Sequence, residues 1–344
     1  MRTPDAGDGR NVDRELGLLE GEGAGQRVDP ARERTPEPAW ELPPTEDRSH
    51  TYYERPVLKE PVWIWAVPSY FHVGGAAGAA AVLGAAAQAG GREQLAGLIR
   101  NCRRMALTSL AAGTALLIID LGRPARFLNM LRVFRPTSPM SVGSWVLAGS
   151  APLAAASVLT ADADGTLRRI GDAAGLALGI LGLPLAGYTA VLVSNTAVPV
   201  WHRSRRSLPF LFLASSASAA SAALTVMDLS DRERSVADRF GTMADVAELI
   251  ATFAVEREAA ETEPVGRALK EGLPGLLWKT STVCTLGTLV LAALPRRGRV
   301  GRWITALLGT GGSLALRFAV FHAGKASARD PRATFEAQRN DAAV

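Results

Sequence analysis

Apolar residues in this chain come in long runs rather than in strict alternation. From Trp63 onward, stretches rich in Ala, Leu, Gly and Val extend for about 17 to 25 residues, the length a helix needs to cross a bilayer core. Charged residues gather before residue 60 and in the short connectors between the runs. The pattern predicts a first helix starting near Trp63 and carrying the small-residue run from Gly74 to Ala87. Seven more are expected over about 105–121, 144–161, 173–194, 208–227, 240–255, 276–294 and 303–322. An even number of crossings places both termini on one side of the membrane.

The chain therefore reads as an all-α integral membrane protein of about eight transmembrane helices, arranged as two four-helix bundles behind a disordered tail. The expected divisions are a polar tail over residues 1–58, a first half over 59–202, a second half over 203–325 and a polar C-terminal tail over 326–344. The N-terminal segment mixes Arg, Glu, Asp, Pro and Gly with few apolar residues, so burial cannot offset its ordering entropy. It has neither the apolar centre of a signal peptide nor a twin arginine, and export by a cleaved N-terminal signal is not expected.

Small residues at four-residue spacing, Gly74 with Gly78 and Gly171 with Gly175 and Gly179, predict seams of close helix packing. Pro61-Val62-Trp63 is echoed by Pro199-Val200-Trp201, a weak internal repeat. The helix over 240–255 departs from the rest, because Asp245 and Glu248 interrupt its apolar pattern. If it lay on the membrane surface both acids would be solvated and the spans would number seven.

A net charge of +5 would point to nucleic acid in a soluble chain, but these arginines flank apolar spans, where they serve orientation and headgroup contact. No nucleic-acid partner is expected; the lipid bilayer is. Lys and Arg divide almost evenly between the two sets of connectors, which leaves the orientation open. Cys102 and Cys284 are too far apart, and too few, for a disulfide framework or an iron–sulfur site. A bis-histidine haem between His72 and His322 is not expected, since such a haem needs the two to face each other across helices and an eight-span topology puts these two at opposite or unequal depths.

One connector carries far more chemistry than a connector needs. Between Asp120 and Trp145 lie Arg123, Arg126, Arg132 and Arg135, three prolines and several hydroxyls. Asp120 ends the second helix, where an unpaired carboxylate is costly and Arg123 or Arg126 is within a turn, so it reads either as a proton acceptor or as half of an Asp–Arg clasp. Ser141 and Ser144 are candidate caps of the next helix. Arg132 and Arg135 are placed to face a soluble partner or lipid headgroups. Tyr70 and His72 early in the first helix, and Tyr188 within the fourth, are hydrogen-bonding side chains in otherwise apolar surroundings. Asp245, Glu248 and Arg317 are ionisable groups within spans, candidates for a proton route or an internal ion pair.

Several of these residues carry a resemblance. Tyr52-Tyr53-Glu54-Arg55-Pro56, the Gly74-Gly75-Ala76-Ala77-Gly78 run, Asp120-Leu121-Gly122-Arg123-Pro124 and Ser138-Pro139-Met140-Ser141-Val142-Gly143-Ser144-Trp145 are similar to the motifs of the NrfD/PsrC family of polysulfide reductase-type membrane subunits. Tyr188 and Pro199-Val200-Trp201 also resemble that family's pattern. The likeness extends over about residues 52–325, densest in the first half.

The resemblance implies a non-autonomous, quinone-reactive subunit of an oxidoreductase complex in the inner (cytoplasmic) membrane. Its substrate would be menaquinone or ubiquinone, with no haem or iron–sulfur cluster in this chain. Electrons would come from or go to a ferredoxin-like iron–sulfur subunit, itself attached to a molybdopterin enzyme of formate dehydrogenase or polysulfide reductase type. Asp120, Tyr188 and His72 are then the residues expected to act on quinone, and Tyr70, Arg123, Arg126, Ser141 and Trp145 those expected to help bind it. Two other readings stay open: a structural anchor or assembly subunit without quinone chemistry, and a small transporter with helices broken at Pro152 and Pro184.

Overall fold

The computed structural model describes residues 12–13, 18–19, 58–122, 125–294 and 298–342. The expected disordered tail over residues 1–58 lies almost wholly outside these. Within it, two-residue strands β1 (Val12–Asp13) and β2 (Leu18–Leu19) pair antiparallel. Everything else described is helix and connector.

The first four long helices are α1 (Ala66–Gly91), α2 (Ala96–Leu121), α4 (Pro139–Leu159) and α5 (Gly165–Ser194), with a short α3 (Ala125–Asn129) between the second and third of them. After α6 (Pro199–Arg203) come α7 (Leu208–Leu224) and α8 (Asp231–Ala260), then α9 (Glu263–Lys270), α10 (Gly272–Ala293), α11 (Arg299–Arg329) and α12 (Pro331–Ala342). Six of these, α1, α2, α4, α5, α10 and α11, are long and apolar enough to cross a membrane, and α7 is a shorter apolar helix. A helix lies at each of the eight expected positions, but among the described residues only those six meet the length and hydropathy of a span: α7 is shorter, and α8, at the expected 240–255 position, is too polar along its length to be counted with them. Several helices are longer than the hydropathy suggested. The polar turns 96–104 and 323–329 simply continue α2 and α11.

Local sequence explains the ends. Gly122 stops α2 in the left-handed region at φ 66°, where only glycine is unstrained. The cap of α4 is Ser138, whose side chain accepts the Ser141 N–H with Pro139 following at the first helical position, so the helix starts earlier than a cap at Ser141 or Ser144 would place it. Ser230 and Glu233 form a reciprocal capping box on α8. The same Glu233 carboxylate accepts the Leu98 N–H of α2 at 2.8 Å, tying the start of α8 to the start of α2.

α1 is the central helix, packed on α2, α5, α7 and α11. Its small residues permit this. A Cβ at Gly78 would stand 2.5 Å from the Gly182 carbonyl oxygen, and one at Gly182 would stand 2.6 Å from that of Gly78, so these backbones touch. The predicted Gly179 seam is likewise used, against Ala85 of α1. The tryptophans of the two Pro-Val-Trp sequences meet: Trp63 and Trp201 stack with ring centroids 6.0 Å apart, and Trp201 donates to the Val320 carbonyl at 2.8 Å.

α8 is built inside out relative to a soluble helix. Met243, Val246, Ile250 and Phe253 point outward, while Asp245 and Glu248 are buried at 5% and 2% exposure. Acids turned inward and hydrocarbon turned outward suit a helix bathed in lipid, and neither acid is solvated as it would be on a surface helix.

Candidate functional site

The N-terminal ends of α1 and α4 and the C-terminal ends of α2 and α5 converge at one end of the bundle. Between them, roofed by α3 and the loop after it, lies a cleft, open to the outside, with about 830 Å³ of empty space when its mouth is included. Its walls are hydrocarbon and aromatic: Trp63, Val67, Phe71, Leu117, Phe127, Met130, Leu131, Met140, Leu147 and Leu192. The polar side chains on its lining are Tyr70, Tyr188, Asp120 and Ser144.

The two tyrosines form a unit. Their hydroxyls are hydrogen-bonded to each other, with the rings tilted at 63° and centroids 6.5 Å apart. Each ring fits against glycine. A Cβ on Gly113 would come within 3.1 Å of Tyr70 Cδ2 and one on Gly74 within 3.1 Å of Cε2 on the same ring edge, while at Gly143 a Cβ would fall 2.1 Å from Tyr188. These glycines bring the rings close to helix backbone and fix where the hydroxyls point.

Asp120 sits at the cleft's edge, and its Oδ1 accepts the Ile64 N–H at 3.2 Å, so it clips the segment before α1 over the end of α2. Arg123 and Arg126, expected as its partners and as binding residues, lie outside the residues whose side chains are described. Ser141 lies apart from the lining: its Oγ accepts the Arg135 N–H at 2.9 Å and donates to the Val133 carbonyl at 3.1 Å, closing the loop on itself. Trp145 packs edge-on against Phe134 on the outer surface, also away from the lining. Arg132 and Arg135 are exposed, next to the cleft-lining Met130 and Leu131.

His72 is not among the cleft-lining residues. It faces α11, with Nδ1 3.2 Å from Ser313 Oγ. The structure thus brings together Tyr70, Tyr188 and Asp120, and leaves His72, Ser141 and Trp145 elsewhere. The apolar walls were missed by sequence reasoning, because one Leu or Met of a membrane helix looks like any other. Among the described residues no three His, Cys, Asp or Glu side chains converge as metal ligands.

The helices and this cleft define a multi-pass membrane protein with a hydrocarbon cleft tipped by hydroxyl and carboxyl groups. The family model for Polysulphide reductase, NrfD matches residues 56–327, and the chain belongs to the NrfD family of membrane subunits. No curated protein matches it.

Proposed function

We propose that the cleft takes the head group of a membrane quinone, menaquinone or ubiquinone. In this reading the chain exchanges electrons and protons between that quinone and an iron–sulfur partner of a molybdopterin oxidoreductase of formate dehydrogenase or polysulfide reductase type. The observation that carries it is the Tyr70–Tyr188 hydroxyl pair, with Asp120 nearby, in an otherwise apolar cleft at the edge of the spans. A quinone needs such a place: hydrocarbon for its ring, donors for its carbonyl oxygens and a group that passes protons.

Reduction to quinol adds two electrons and two protons, and this chain's residues serve the protons. A tyrosine hydroxyl freed from its neighbour donates a hydrogen bond to a quinone oxygen. Asp120 is the carboxylate best placed to receive or return a proton at the cleft's edge. The electrons come from the partner, for which the exposed Arg132 and Arg135 beside the cleft wall offer a docking face toward acidic protein surface.

The bond from Ile64 to Asp120 favours a second reading, in which the carboxylate is only a clasp and the subunit an anchor. Asp120→Asn separates the two, since its carbonyl still accepts from Ile64 while it no longer exchanges a proton. With the assembled complex, Tyr188→Phe should weaken binding of a quinone analogue about five- to tenfold, the worth of one hydrogen bond. Asp120→Asn should slow quinol turnover with analogue binding kept. If both variants assemble, bind and turn over like wild type, the chain is an anchor.

A further inference from the structure

A second polar system runs through the other half of the bundle and is separate from the cleft. At the end opposite the cleft, where α7 and α10 finish and α8 and α11 begin, an open funnel is lined by Asp231, Arg234, Asp238, Arg239 and Arg302. Thr225, Asp238, Thr242 and Ala292 line both this funnel and a narrower polar cavity behind it, which ends at Ser218, Asp245 and Thr288. The two are therefore contiguous.

Beyond that cavity the polar groups continue in single file. Asp245 accepts from Ser218 and from Thr288, the latter at 2.8 Å. Less than one turn further along the same face, Glu248 accepts from Thr285 at 3.1 Å, and the Ser215 hydroxyl lies beside its carboxylate. Ser215 donates to Ser313 Oγ at 3.0 Å, and Ser313 meets His72 on α1. Asp238, Asp245 and Glu248 stand roughly 10, 21 and 25 Å from the start of α8 at about 1.5 Å per residue, so the file climbs most of the membrane's depth.

Arg317 closes the file from α11. It is 0% exposed, and its Nη2 donates to the Phe212 carbonyl and to Ser216 Oγ, both at 2.9 Å. Its Nε and Nη1 find no acceptor among the described residues, and a fully buried guanidinium with two such donors calls for water between it and its neighbours.

We propose that this file is a water-filled proton path, opening at the bundle end opposite the cleft and passing through Asp245 and Glu248 to His72. A proton taken from bulk water at the funnel moves between the two carboxylates and on through the serine hydroxyls to the imidazole, with Arg317 holding the acids' charge in place. No bond other than O–H and N–H is made or broken. The path stands whatever ligand the cleft takes.

The test uses the full chain in lipid vesicles with Cys102 and Cys284 replaced by Ser, and single cysteines placed at Ser221, Thr242 and Thr288. A small charged thiosulfonate should react with these at least about tenfold faster than with Ile250→Cys on the lipid face of α8, since each unit by which apolar surroundings raise a thiol's pKa removes that much thiolate. Carbodiimide, which attacks protonated buried carboxyls, should label Asp245 or Glu248 in the cysteine-free chain. That labelling should fall as pH rises, be untouched by sodium, be lost in Asp245→Asn/Glu248→Gln, and persist in Tyr188→Phe. Cysteines at Ser221 and Thr288 reacting no faster than at Ile250 would mean a dry interior and overturn the path. Protection by sodium at fixed pH would make it a metal-cation site and overturn the proton assignment.

Discussion

The Tyr188 ring owes its position to the absence of one methyl group, and Gly143→Ala measures what that absence is worth. The added Cβ would lie 2.1 Å from Tyr188 Cε2 and 2.4 Å from Cδ2, against a comfortable separation of about 3.5–4.0 Å. The ring would have to move by more than about 1 Å, and Tyr70 is held behind it by Gly74 and Gly113. Overpacking of this kind costs about 1–3 kcal/mol, and loss of the tyrosine–tyrosine bond adds about 1 kcal/mol. Replacing glycine by alanine within a helix returns about 1 kcal/mol, so Gly143→Ala should destabilise by about 1–3 kcal/mol net. Gly149→Ala on the same helix is the control. Its Cβ would meet only Leu181 at 3.4 Å, so helix propensity decides and the variant should be neutral or slightly more stable. Unfolding in denaturing mixed micelles reports stability, and quinone-analogue affinity reports the cleft. If Gly143→Ala matches Gly149→Ala in both, the glycine does not set the Tyr188 position and the cleft geometry argued above is wrong.

Two further substitutions probe the ion pairs at opposite ends of the bundle. Glu60 receives the Arg329 guanidinium at 2.6 and 3.0 Å with Lys325 at 3.3 Å, and the Arg329 bond above all holds its carboxyl below the ordinary value of 4.5. A lowered folded pKa adds stability that is fully present above the unfolded pKa and lost as pH falls through the folded one. Glu60→Gln should therefore destabilise at pH 7, by about 1 kcal/mol at most because Arg329 is largely exposed, and in pH-dependent unfolding the two proteins should converge only as pH falls from the ordinary carboxylate value through the lowered folded one. Arg103, nearly buried, donates to the Ser157 carbonyl, to Gln88 and to Asp172, so Arg103→Ala should cost about 3 kcal/mol in the same micelle assay. An effect under about 1 kcal/mol would show that Arg92, which also pairs with Asp172, carries that site alone.

What the sequence disclosed follows from how strongly a bilayer constrains its occupants. Long apolar runs showed where helices lie, because backbone groups in hydrocarbon have no alternative to helix. They did not show where helices end, because the turns around Asn101-Cys102-Arg103-Arg104 carry charge for tertiary reasons, Arg103 being buried against Asp172 rather than sitting in a connector. The glycine seams were legible as spacing, whereas Gly143, a site-shaping glycine with no partner at four-residue spacing, was not. Asp120 and the tyrosines stood out as polar groups in apolar runs, but their partners could not be read. Asp120 meets the Ile64 backbone, which has no sequence signature at all.

His72 shows the same limit and what lies behind it. Two residues from Tyr70, it looks like a neighbour in the cleft, yet two residues are roughly 200° around a helix, so the two side chains leave α1 on opposite sides. Tyr70 reaches the cleft between α1, α2, α4 and α5, and His72 reaches the serine file between α7 and α11. α1 can serve both only because Ala and Gly make up most of its remaining surface, letting helices close in from every side while its few large residues point into chosen gaps. A helix with an ordinary apolar stripe would have one functional face. One that is small all round has two, and this chain sets a tyrosine on the first and a histidine on the second.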